Sequence, residues 1–111
     1  MVVSDNERCF CILEVPNFSD KDAYISDMIL SDVLGYTEDA TILAERIAYL
    51  GRLWDACNRS VKDICAEAGM TQAALGGKFC IPLRTVSDWC RGLRTPPVYV
   101  RLMMQQMLGL L

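Results

Sequence analysis

The stretch from Thr71 to Gly92, TQAALGGKFCIPLRTVSDWCRG, constrains this chain more than any other. It holds two helix starts and a helix stop in a space that fits only two short helices and a tight turn. The Thr71 hydroxyl can cap the first helix. Ala74, Leu75, Lys78 and Phe79 follow at three- and four-residue spacing, which sets Leu75 and Phe79 on one face. Cys80 and Ile81 form the turn, with Ile81 expected inside. Pro82 suits the first turn of a second helix, where a missing N–H costs nothing. Val86 and Trp89 point inward, and Gly92 ends the helix with a left-handed backbone. Helices are therefore expected over 71–79 and 82–91, with Leu75, Ile81, Val86 and Trp89 in contact. Gly76 and Gly77 sit inside the first helix, each at a cost of up to about 1 kcal/mol against alanine.

This arrangement resembles the helix-turn-helix of the phage-repressor/Cro-type (XRE) family. That family's pattern is Thr-Gln, a leucine, a turn with an apolar residue, then a recognition helix ending in glycine. Thr71, Gln72, Leu75, Ile81, Thr85, Val86 and Gly92 match it as they stand. So do Arg94-Thr95-Pro96-Pro97 and the apolar helix beginning near Tyr99. The resemblance covers residues 60–111 and is closest to small bacterial, phage or mobile-element regulators. It implies a sequence-specific regulator of transcription that binds double-stranded DNA as a homodimer.

Within that resemblance Arg84 would read a base, since a guanidinium can take guanine bidentately. Gln72, Lys78 and Thr85 would position the phosphate backbone, and Ser87 lies one turn along the reading helix. Arg91, Arg94 and Arg101 are further phosphate candidates. The chain departs from the family where Gly76 replaces the usual alanine and Cys80 the usual glycine. Pro82, Leu83 and Asp88 also stand in reading positions. These departures support a second expectation. The chain would be a protein-interaction module of antitoxin or phage-inhibitor type, acting through its acidic N-terminal half.

Charge divides the chain in the same place. The net charge is −3, and residues 1–60 hold 11 acids against 5 bases. Beyond them, Asp63, Glu67 and Asp88 face Lys62, Lys78, Arg84, Arg91, Arg94 and Arg101. The basic balance sits where phosphate contacts would be needed. Asp20, Asp22, Asp27 and Asp32 form an acidic row, read as a solvated face or as a surface for a basic partner.

The six cysteines, at 9, 11, 57, 65, 80 and 90, include no Cys-x-x-Cys, and the chain has no histidine. They read as buried, reduced thiols with no metal. No catalytic triad, phosphate-cradling loop or ordered carboxylate pair appears, so neither an enzyme nor a cofactor is expected. No apolar run approaches the ~18–20 residues of a membrane span, and Met1-Val2-Val3 leads straight into polar residues. A cytoplasmic location with no membrane partner follows as the expectation.

The expected fold is mainly α. It is a five- to six-helix bundle with a C-terminal helix-turn-helix and a short N-terminal β-strand or hairpin. Residues 1–59 would form the strand and an acidic helical extension, and 60–111 the helix-turn-helix domain. The strand is RCFCILEV, residues 8–15, bounded by Pro16-Asn17. Val2-Val3 could pair with it across an Asp5-Asn6 turn, a second copy could pair with it, or it could lie as an arm on the helices. Further helices start at Ser19-Asp20 and Thr37-Glu38-Asp39. The longest carries Ile42, Leu43, Ile47, Leu50, Leu53, Trp54 and Cys57 at helical spacing. Ser60 caps another helix with Asp63 at the capping-box position, and Thr95-Pro96 opens the last. In that last helix Leu102 and Leu108 read as core, and Met104, Met107 and Leu111 as a partner surface.

Overall fold

Short polar side chains set most of the helix starts in this chain. The computed structural model describes residues 1–111 and contains seven α-helices, one 3-10 turn and no strand. Two compact units form, Met1–Cys57 and Asn58–Leu111. No helix is long and apolar enough to cross a membrane.

In the first unit the expected N-terminal strand is a helix, α1 (Asp5–Glu14). Ser4 caps it: its hydroxyl accepts from the Glu7 N–H at 3.1 Å, and the Glu7 carboxylate accepts from the Ser4 N–H at 3.1 Å. This reciprocal pair satisfies two N–H groups at once and supplies the helix nucleus. The supposed hairpin turn at Asp5-Asn6 is the helix's first turn. Burial follows the helical period. Cys11 and Val15, four apart, are buried, while Cys9 and Leu13, which a strand would have turned the same way, are exposed. Val15, Pro16 and Asn17 then form the 3-10 turn.

Helix α2 (Lys21–Leu30) is capped by Asp20, and α3 (Ala40–Asn58) starts where Asp39 accepts from the N–H groups of Thr41 and Ile42. Tyr24 of α2 is fully buried at the centre of this unit. Its ring lies 5.7 Å from that of Phe18 and 5.4 Å from that of Trp54, centroid to centroid. Its hydroxyl donates to the Cys11 carbonyl at 2.7 Å. Lys21 meets Asp55 at 3.0 Å across the α2–α3 contact. Leu50, Leu53 and Cys57 of α3 are buried as their spacing predicts, whereas Ile42 and Ile47 remain exposed.

In the second unit α4 (Val61–Ala68) carries the expected Ser60–Asp63 capping box and ends at Gly69 in the left-handed region. Helices α5 (Gln72–Phe79) and α6 (Leu83–Cys90) follow. Val61, Cys65, Leu75 and Val86 make the core, with Met70, Phe79, Ile81, Trp89, Cys90 and Leu108 packed around them. The last helix, α7 (Val98–Met107), begins two residues later than Thr95-Pro96 suggested, because Pro97 takes the N-cap position. Met104 is buried and belongs to the core, which leaves Met107 on the exposed side.

Candidate nucleic-acid interface

The connection between α5 and α6 is built on close backbone approach. Thr71 caps α5 by accepting from the Ala74 N–H at 3.0 Å. At the other end Cys80 adopts φ 56°, ψ 42°, and its N–H donates to the Gly76 carbonyl. The Ile81 N–H donates to the same carbonyl at 2.9 Å. The chain thus folds back over Gly76, and a Cβ there would lie 2.8 Å from the Ile81 carbonyl oxygen. Gly76 is what lets the turn close this tightly. Gly77 has open space around its Cβ position and no such role.

Helix α6 starts at Pro82, which has no side-chain cap bond, and Val86 presses its inner face into the core with no exposed surface. It stops at Gly92, φ 75°, where the Leu93 N–H reaches back to the Asp88 carbonyl at 3.0 Å. Trp89 is half-buried against the core.

The outer face of α6 presents the sequence-predicted residues unequally. Arg84 and Arg91 are exposed, and Thr85 and Ser87 are half-buried. Arg84, Ser87, Asp88 and Arg91 fall at the spacing that shares one helix face. Leu83 is exposed beside them. Gln72 stands exposed at the start of α5 and Lys78 in its last turn, while Arg94 is exposed in the segment between α6 and α7.

Two features of the site escaped the sequence reading. Asp88 and Arg91 form an ion pair at 3.1 Å, so the acid that would repel a phosphate is matched within its own helix. Their three-residue separation carried that signal. Arg101 is turned inward: its guanidinium donates to the Arg59 carbonyl at 2.8 Å. Arg59 in turn donates to the Gln105 side-chain oxygen at 2.9 Å, and the Gln105 amide donates to the Arg101 carbonyl at 3.1 Å. Gln105 is fully buried within this network, which holds α7 to the start of the unit. Arg101 is thus tied into the packing of α7. No group of three or more side chains suited to holding a metal ion is present.

Comparison with protein-family models, with curated proteins and with solved structures finds no significant match.

Proposed function

We propose that this chain is a small, cytoplasmic, sequence-specific DNA-binding regulator that uses α6 as its reading helix. The observation that carries this reading is the two-sidedness of α6. Val86 locks one face onto the core, and the opposite face leaves Arg84 exposed with Ser87 and Arg91 in line. A helix held so firmly along one side, with an uncovered guanidinium near its start, suits insertion into a major groove. Gln72, Lys78 and Arg94 supply backbone contacts, and Thr85 supports the start of the helix.

One reading helix makes few base contacts, so the regulator acts as a homodimer. The stripe for pairing is Tyr99, Met103 and Met107 of α7, all exposed, four residues apart and free of charge. In an antiparallel two-fold pairing centred on Met103, Tyr99 would face the partner's Met107, a favourable ring–sulfur contact.

The test is a titration against random duplex at ~50 mM salt, where proteins of this kind bind non-specifically. Arg84→Ala should cost about 1–3 kcal/mol on the operator and relax preference there. Lys78→Ala should weaken all sequences alike and lower the salt slope by about one unit. Absence of any binding by the unaltered chain rejects the regulator. The interaction-module reading then takes its place, favoured by the exposed Leu83 and the self-neutralised Asp88–Arg91 pair. In that reading a basic protein docks on Asp20, Asp22, Asp27 and Asp32, all of which are exposed.

A further inference from the structure

Cys65 lies in α4 and Cys90 is the last residue of α6, two helices that pack on each other. Both thiols flank the cluster of Val61, Leu75 and Val86. Cys90 lies alongside Cys65 and helps keep its thiol protonated. Cys65 is buried, whereas Cys90 is only half-buried. Two thiols on packed helices, set against one apolar cluster and unequally exposed, form the arrangement of an attacking and a resolving cysteine.

We propose that Cys65 and Cys90 form a reversible disulfide in the presence of hydrogen peroxide, tying the C-terminal end of α6 to α4. The Cys90 sulfur attacks one oxygen of the peroxide. The O–O bond breaks, the thiol proton goes to the departing oxygen, and one water leaves as a sulfenic acid forms. The Cys65 sulfur then attacks the sulfenic sulfur. The S–S bond forms, the S–O bond breaks, and the departing hydroxide takes the Cys65 proton as a second water. Two thiols are oxidised and one peroxide is reduced. Burial, with Cys90 alongside, holds the proton on Cys65, so Cys65 waits for the sulfenic acid and does not compete for the oxidant. Disulfides of this kind in a reducing compartment are transient and serve as redox sensors.

Bond formation draws the two sulfurs to about 2.05 Å. The last turn of α6 must follow, and it carries Ser87, Asp88 and Arg91. The disulfide does not depend on nucleic-acid binding, but its consequence for the α6 surface rests on that reading.

The experiment treats the reduced full chain with one equivalent of hydrogen peroxide, alkylates the remaining thiols and digests with trypsin. Cleavage after Lys62, Lys78, Arg84 and Arg91 puts Cys65 in fragment 63–78 and Cys90 in fragment 85–91, apart from the other cysteines. The expected result is a free-thiol count lower by two than the six of the reduced chain, with those two fragments linked until a reductant is added. Linkage spread evenly over other cysteines would overturn the proposal, as would sulfinic acid at Cys90 with Cys65 still alkylated. Selectivity should vanish in urea and in Cys90→Ser; an unchanged pattern in either also overturns it. Duplex binding is then compared before and after oxidation, and a several-fold weakening that reductant reverses is expected. A linked pair with unchanged binding overturns the effect on α6. A reduced chain that binds no duplex rejects the regulator reading while the disulfide stands.

Discussion

The two units build their cores by opposite means. The first gathers around one large side chain, Tyr24, whose ring meets Phe18 and Trp54 and whose hydroxyl satisfies a helix carbonyl. The second gathers around a missing side chain. Leu75, Val86, Val61 and Cys65 fill its centre with small aliphatic volume, and the turn above them closes only because Gly76 has no Cβ. An aromatic centre supplies much buried area and tolerates loose surroundings, and Ile42, Ile47 and Leu30 do remain exposed in that unit. A centre built on backbone approach fixes two helices closely but yields to a single added methyl. The first device suits a scaffold, the second a helix that must be held at a set angle.

The largest test removes the aromatic centre. Tyr24→Ala should cost about 3–5 kcal/mol, read by urea unfolding with the fluorescence of Trp54. A loss below ~1 kcal/mol would mean that the first unit is not centred there.

Next in size is the added methyl. Gly76→Ala should cost about 1–3 kcal/mol, because the new carbon lies against backbone that cannot step aside. Helix propensity alone predicts the opposite sign, a gain of up to about 1 kcal/mol. Urea unfolding followed by Trp89 separates the two.

That sign reversal marks what a sequence can and cannot reveal. The Ser60-x-x-Asp63 box, the Thr71 cap and the Gly92 stop are local, and each was legible because its partner lies within a few residues. Ser4-x-x-Glu7 is just as local a helix-start signal, but it precedes a run of strand-like composition. The β-branched and aromatic residues of 8–15, in a run too short for a stable helix by itself, favour a strand instead. Helical spacing of Cys11 and Val15 was the better signal. The close approach of Ile81 to Gly76, the inward turn of Arg101 and the packing of Cys65 and Cys90 on one cluster were not legible. Each depends on how helices distant in sequence lie against one another. Of the candidate interface, the order of α5, turn and α6 could be read, while the pairing of Arg91 with Asp88 altered the charge it offers.

A smaller effect isolates the polar handle of the aromatic centre. Tyr24→Phe keeps the ring and should cost about 1 kcal/mol through the lost bond to the Cys11 carbonyl. It should also change the response to alkali. Burial, then the neighbouring Cys11, pushes the Tyr24 phenol well above its ordinary value. The folded chain therefore holds this proton more tightly than the unfolded chain. The stability it contributes is full below the ordinary tyrosine value, about 10, and falls as pH rises beyond it. The variant should lose less stability over that alkaline range, with Tyr49, whose phenol burial also raises, keeping part of the slope. Equal slopes in denaturant melts above about pH 10 would deny Tyr24 this role.

The smallest effects are gains, and they sharpen the contrast between neighbours in the turn. Gly77 is helical, exposed and unobstructed, so Gly77→Ala should stabilise by about 0.5–1 kcal/mol. Cys80 carries a Cβ in the left-handed region at φ 56°, where such a carbon costs roughly 1–2 kcal/mol. Cys80→Gly relieves that strain but loosens the unfolded chain, so the net gain should be smaller, about 0.5–1 kcal/mol. The substitutions then run in opposite directions within five residues: alanine is harmful at 76, helpful at 77, and glycine is helpful at 80. Thermal melts of the three variants, with α6 intact in each by circular dichroism, check the order. A Gly76→Ala melt as high as that of Gly77→Ala would mean that the Ile81 carbonyl can move away, and the turn would no longer depend on a missing side chain.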